Sequence, residues 1–136
     1  MNIKKGTIVE EKNSFNEEDI NLFAKTTGDF NPLHTDIQFA ENSMFKDKIV
    51  HGMLVASTIS KILGTKCPGP GTIYLSQTLK FLQPVKINES FTTRIELIDI
   101  IKKKRNPRFL FKTTCINEKE EIILEGEALV INPNIS

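Results

Sequence analysis

The sequence lacks tryptophan and contains one tyrosine, two histidines and two cysteines among 136 residues. Cys67 and Cys115 lie far apart, and neither belongs to a CxxC or Cys/His pair with the spacing of zinc ligands. We therefore expect two reduced thiols in the core and no metal site. Any chemistry that needs an imidazole must use His34 or His51.

The chain also lacks an excess of one charge, a long apolar run and a low-complexity segment. Its 18 basic and 17 acidic residues give a net charge of +1, which provides no global attraction for a nucleic acid or an anionic membrane. No stretch approaches the roughly 18 apolar residues of a membrane span, and no apolar segment follows the basic N-terminus as in a signal peptide. We expect one cytoplasmic domain over residues 1–136.

The first half of the chain has helical patterns. Ser14 followed by Glu17 fits a capping box, which predicts a helix from about Asn16 to Thr27 that ends at Gly28. Pro32 then favours a rigid loop over residues 28–34. A short helix capped by Thr35 follows. Residues 49–63 are apolar on nearly all sides, which predicts a buried central helix, and Gly64 is placed to end it.

The remaining residues have the period of strands. A short strand is expected near residues 7–10, and four more come in succession after the central helix, with alternating apolar residues at Ile73, Leu75, Leu79 and Phe81, at Phe91, Ile95 and Leu97, at Phe109, Phe111 and Cys115, and at Ile123, Leu129 and Ile131. The short polar connections at 83–89, 103–107 and 117–120 favour antiparallel hairpins. The predicted class is α+β, a single hot-dog domain with a curled antiparallel sheet around a buried helix. An open sheet edge would pair with a second copy, which predicts a homodimer.

Asp29 and His34 are the strongest candidates for chemistry, because both lie in the loop stiffened by proline and can converge on one small volume. Gly52 stands at the expected start of the central helix, where its free N–H could approach a substrate carbonyl. This combination suits proton transfer next to a carbonyl that becomes an enolate. On spacing alone, Asp29 and Asn31 could equally be turn residues, and His51 is more typical of a capping or packing residue than of a catalyst.

The segment FAKTTGDFNPLHTDIQFA, residues 23–40, resembles the hydratase 2 motif of the MaoC-like, (R)-specific enoyl-CoA hydratases. The similarity continues through IVHGMLVAS at 49–57 and through residues 68–85. The motif positions that fit are Phe23, Thr27, Gly28, Asp29, Asn31, Pro32, Leu33, His34 and Ala40.

The resemblance implies that Asp29 and His34 place a water beside C3 of an enoyl-CoA and that the product is (R)-3-hydroxyacyl-CoA. The Gly52 N–H would stabilise the charge on the thioester oxygen. No metal or redox cofactor is implied, and coenzyme A enters as part of the substrate. Asn31 would fix the loop or contact the water. The substrate-binding candidates on the central helix, where core packing is the alternative, are Met53, Ala56, Ser60 and Leu63.

Two rival functions remain open. A hot-dog thioesterase would direct a water at the thioester carbonyl and release free CoA, whereas the intact Gly-Asp-x-Asn-Pro-Leu-His segment favours hydration. A non-catalytic acyl-CoA-binding module would bind the ligand without turnover. The basic run at residues 102–108 is typical of a solvated hairpin tip, with contact to CoA phosphates as the alternative.

Overall fold

The computed structural model describes residues 3–135 and contains four helices and six strands in that range. In chain order these are β1 Ile8–Asn13, α1 Glu17–Thr27, α2 Pro32–Thr35, α3 Ile37–Glu41, α4 Gly52–Thr65, β2 Ile73–Gln77, β3 Lys80–Phe81, β4 Phe91–Ile101, β5 Arg108–Asn117 and β6 Ile122–Ile131. The predicted α+β class is confirmed. Among the described residues, no helix combines the length and the apolar character needed to span a bilayer.

All six strands belong to one antiparallel sheet with the order β1-β4-β5-β6-β2, and β3 also pairs with β6. The expected hairpins at 103–107 and 117–120 are confirmed. The hairpin expected at 83–89 is wrong, because β3 and β4 are not neighbours in the sheet. Residues 83–89 instead carry the chain from β3, which pairs with β6, to β4, which pairs with β1 and β5. Val50 N–H donates to the Val85 carbonyl at 2.8 Å, so the segment is fixed against the residues before α4.

The strand expected over residues 73–81 is divided into β2 and β3. Thr78 interrupts it, since its N–H donates to the Glu127 carbonyl and its hydroxyl accepts from the Glu127 N–H, both at 2.9 Å. The segment between β2 and β3 passes over Gly126 of β6, and we call this contact the crossing at Thr78. A Cβ built at Gly126 would be 1.8 Å from the Thr78 carbonyl oxygen. Alternation of apolar residues cannot reveal such a crossing, because the side chains keep their two-residue period on both sides of it.

The predicted helix ends need correction. The N-cap of α1 is Asn16, whose side chain and that of Asp19 form the capping box in place of Ser14 and Glu17. Asp36 caps α3 instead of Thr35, because its carboxylate accepts two backbone N–H groups. The central helix begins later than expected and continues past Gly64. At the end of α1 the prediction is confirmed, since Gly28 has a φ of 82° there.

The core lies between α4 and the inner face of the sheet. Val55, Ile59 and Ile62 of the helix are buried there, together with Phe91 and Phe111 of the sheet. The opposite side of α4 is not covered: Met53 is 59% exposed, which corrects the expectation of burial on nearly all sides. The two cysteines are free and buried as predicted, and burial raises the pKa of both thiols.

Candidate active site

A network of short-range hydrogen bonds shapes the loop between α1 and α2. The Asp29 carboxylate accepts from the Asn31 N–H at 3.2 Å, and the Asn31 side-chain oxygen accepts from the Leu33 N–H at 3.1 Å. Asn31 is therefore the N-cap of α2, with Pro32 at its first position. This turn leaves Asp29 exposed and directs His34 inward, where its side chain is buried.

The ring of His34 is fixed by a main-chain acceptor. Its Nδ1 lies 2.8 Å from the carbonyl oxygen of Ile49. Because a carbonyl only accepts, this bond places the imidazole proton on Nδ1 and leaves the Nε2 lone pair free as an acceptor.

Burial also keeps His34 uncharged. Desolvation lowers the pKa of His34 below its usual 6.5, and the neighbouring His51 acts in the same direction. The Ile49 carbonyl and the Asp29 carboxylate oppose this shift but do not reverse it. At neutral pH the ring is therefore mostly the neutral base, with Asp29 close enough to influence it electrostatically.

His51 lies beside both Asp29 and His34. The sequence did not predict this arrangement. The Nε2 of His51 lies 3.1 Å from the Asp29 carbonyl oxygen, and its ring lies against that of His34 with centroids 4.0 Å apart and planes at 30°. Phe23 of α1 also packs on the His51 ring, at 4.7 Å. The signal in the sequence is that His51 is the second of only two histidines and directly precedes Gly52.

Gly52 is the first residue of α4, so its N–H has no acceptor within the helix. A Cβ built at this position would meet the Phe81 ring at 2.9 Å, which shows how closely that exposed ring approaches the helix start. Gly52, Val55 and Phe81 line an apolar cavity of about 360 Å³. The candidate oxyanion donor thus adjoins an apolar cavity whose lining also includes Ile49, the residue whose carbonyl holds the His34 ring.

The substrate-binding candidates on α4 separate into two groups. Met53, Ala56 and Ser60 line an open groove of about 420 Å³ whose other wall is β2. The structure places Leu63 elsewhere: it is 1% exposed and belongs to the hydrophobic core. Leu63 follows Ala56 by seven residues and therefore points in a similar direction, but it lies about 10 Å further along the helix axis and packs in the core.

Comparison with known proteins agrees with this arrangement. Residues 2–118 match the family described as MaoC like domain. The chain belongs to the MaoC-like family. It is 40% identical over 131 residues to the (R)-specific enoyl-CoA hydratase of Rhodospirillum rubrum, covering 96% of this chain and 89% of that protein. It is also 40% identical to the 3-hydroxybutyryl-CoA dehydratase of Methylorubrum extorquens, covering 90% and 76% respectively.

A solved structure supports the same assignment of this MaoC-like chain. The (R)-hydratase from Aeromonas caviae involved in PHA biosynthesis superposes with a TM-score of 0.91 at 34% identity, covering 96% of this chain and 98% of that one. The resemblance that the motif at residues 23–40 indicated is confirmed, and so is the hot-dog fold.

Proposed function

We propose that this MaoC-like protein is an (R)-specific enoyl-CoA hydratase. It is a hydro-lyase that adds water reversibly to trans-2-enoyl-CoA and gives (R)-3-hydroxyacyl-CoA. The observation that carries the proposal is the unprotonated Nε2 of His34 beside Asp29, in a chain similar to an (R)-specific enoyl-CoA hydratase over 96% of its length.

Asp29 and His34 are the catalytic pair in this proposal. A water between them donates one O–H to the Asp29 carboxylate and one to His34 Nε2, which leaves an oxygen lone pair free to attack C3. As the C3–O bond forms, the electrons of the C2=C3 bond move toward the thioester oxygen and His34 takes the water proton. The protonated imidazole then returns a proton to C2 on the same face, so the addition is syn.

Gly52 supplies the oxyanion donor. Its free N–H and the N-terminal end of α4 stabilise the negative charge on the thioester oxygen, and a donor of this kind contributes about 3 kcal/mol to the transition state. Asn31 acts on the loop as its cap, because its side-chain oxygen accepts from the Leu33 N–H.

The groove beside α4 accommodates the acyl chain. Met53, Ala56 and Ser60 form its helical wall, and Leu75 lies opposite on β2. Coenzyme A enters only as part of the substrate, and because hydration transfers no electrons the proposal includes no redox cofactor. The proposed location is the cytoplasm, since two free, buried thiols fit a reducing compartment.

The test is the hydration of crotonyl-CoA. We expect the absorbance of the conjugated enoyl thioester to fall without release of free thiol, and chiral analysis to give (R)-3-hydroxybutyryl-CoA. Release of CoA with the alkene intact would instead establish a thioesterase. Binding of several enoyl-CoA chain lengths without any turnover would establish a binding module.

The pH profile tests the role of His34. Because its pKa is lowered and the neutral ring is the active form, kcat/KM should stay flat through neutral pH and fall only below pH 6.5, as the ring takes up a proton. Initial rates with crotonyl-CoA across that range give the profile. An acidic limb centred above pH 6.5 would contradict the proposed base.

A homodimer completes the proposal. Strand β2 is an edge of the sheet and is exposed at Ile73, Tyr74 and Leu75, beside the uncovered side of α4. Antiparallel pairing of β2 with the same strand of a second copy would extend the sheet and close the groove at Met53.

Substitution at the proposed interface tests the dimer. Leu75→Lys should shift the protein from dimer to monomer in sedimentation velocity, because a charge would be buried between two edge strands. The matched control is Ile8→Lys, which places the same charge at an exposed isoleucine on β1, at the other edge of the sheet. A wild type that sediments as a monomer at micromolar concentration would refute the dimer.

A further inference from the structure

His51 lies where the loop of Asp29, the ring of His34 and the start of α4 meet. It is 1% exposed, its Nε2 donates to the Asp29 carbonyl at 3.1 Å, and its ring supports the His34 ring at 4.0 Å. Through the backbone it is joined directly to Gly52. One side chain therefore connects the three groups to which the proposed mechanism assigns a role.

Neither packing nor capping accounts for an imidazole at this position. Its Nδ1 is buried with no hydrogen-bond partner, and an unpaired buried polar atom costs about 1–3 kcal/mol. A phenylalanine ring would occupy similar space without that cost. Although His51 is the N-cap residue of α4, its side chain makes no capping hydrogen bond. The bond that remains to explain the imidazole is the one from Nε2 to Asp29.

That bond acts on a weakly restrained part of the site. Asp29 is exposed, and its other hydrogen bonds are local: its N–H donates to the Thr27 hydroxyl at 3.1 Å, and its carboxylate accepts from Asn31 at 3.2 Å. The bond from His51 comes from 22 positions away and fixes the Asp29 peptide relative to α4. A shift of the carboxylate by about 1 Å can cost a hundredfold in rate.

We propose that His51 is a positioning residue of the hydratase site. Its Nε2–H holds the Asp29 carbonyl, so that the Asp29 carboxylate faces the same water as His34 Nε2, whose ring is already held by the Ile49 carbonyl. This role rests on the proposed function, since it concerns the geometry of that catalytic pair.

Two substitutions separate the hydrogen bond from the packing. His51→Phe keeps an aromatic ring against His34 and removes the donor. His51→Gln removes the ring but keeps an N–H donor at the same number of bonds from Cβ as Nε2. We expect His51→Phe to lower kcat roughly tenfold to hundredfold with KM changed by less than about threefold, and His51→Gln to restore kcat to within about threefold of the wild type.

Two kinetic outcomes would overturn the proposal. One is wild-type kcat in His51→Phe, which would make His51 a packing residue. The other is an equal loss of kcat in both variants, which would show that the donor does not matter.

A measurement on the unchanged protein does not depend on activity or on the stability of a variant. Because the chain has two histidines, a ¹⁵N-histidine NMR spectrum above neutral pH contains two rings. We expect His34 with its proton on Nδ1 and His51 with its proton on Nε2, assigned by His34→Gln and His51→Gln. A His51 ring protonated on Nδ1 overturns the positioning role. A wild type without hydratase activity but with both expected tautomers would refute the proposed function and leave this geometry in place.

Discussion

Asp29→Asn should lower kcat/KM for crotonyl-CoA hydration by about 10³-fold. The amide still offers an oxygen to the Asn31 N–H, so the loop keeps its turn. It has lost the negative charge and gained donor hydrogens, so it no longer reliably accepts a hydrogen bond from the water, and no negative charge acts on the His34 ring. Steady-state kinetics by loss of enoyl-thioester absorbance give the ratio.

The control for Asp29→Asn is Asp99→Asn on β4, since the Asp99 carboxylate likewise accepts a nearby backbone N–H, at 2.8 Å. This variant should keep wild-type activity. The free energy of unfolding should change by less than about 0.5 kcal/mol in Asp29→Asn, because the residue is exposed. Retention of more than a tenth of wild-type kcat/KM by Asp29→Asn would remove the carboxylate from the mechanism.

Gly126→Ala should lower the free energy of unfolding by about 3 kcal/mol or more. The added methyl would lie 1.8 Å from the Thr78 carbonyl oxygen and 2.7 Å from its carbon. Because both atoms belong to the backbone, no side-chain rotation can relieve the overlap, and the crossing between β2 and β3 must move away from β6. Urea denaturation followed by circular dichroism measures the change.

The matched substitution is Gly64→Ala. A Cβ at Gly64 meets nothing within 4 Å, and the residue is inside α4, where alanine is favoured over glycine. This variant should gain about 0.5–1 kcal/mol. A Gly126→Ala protein as stable as the wild type would show that the crossing at Thr78 adapts without cost.

The sequence predicted the elements that depend on local chemistry. Gly28 and Pro32 determine the loop that carries Asp29 and His34, and the continuous apolar character of residues 49–63 predicts the central helix. The resemblance over residues 23–40 added the proposed roles of Asp29 and His34, which spacing alone left open between catalysis and a turn.

Contacts between distant positions were not predictable in the same way. The bond from His51 to Asp29 depends on where α4 lies relative to α1, and no periodicity encodes that distance. The crossing at Thr78 and the path of residues 83–89 likewise depend on which strands become neighbours of β6 and β1. The position of Leu63 was missed because residues on one side of a helix point the same way, while the elements they meet change along the helix axis.

Main-chain carbonyl groups, those of Ile49 and Asp29, accept the hydrogen bonds of both imidazoles. Every residue has a main-chain carbonyl whatever its side chain. These two acceptors therefore remain after a substitution that would remove a side-chain acceptor. The groove residues Met53, Ser60 and Leu75 take no part in them. In the proposed hydratase, exchange of groove side chains can therefore change the acyl-chain preference while the hydrogen bonds that hold the two imidazoles stay the same.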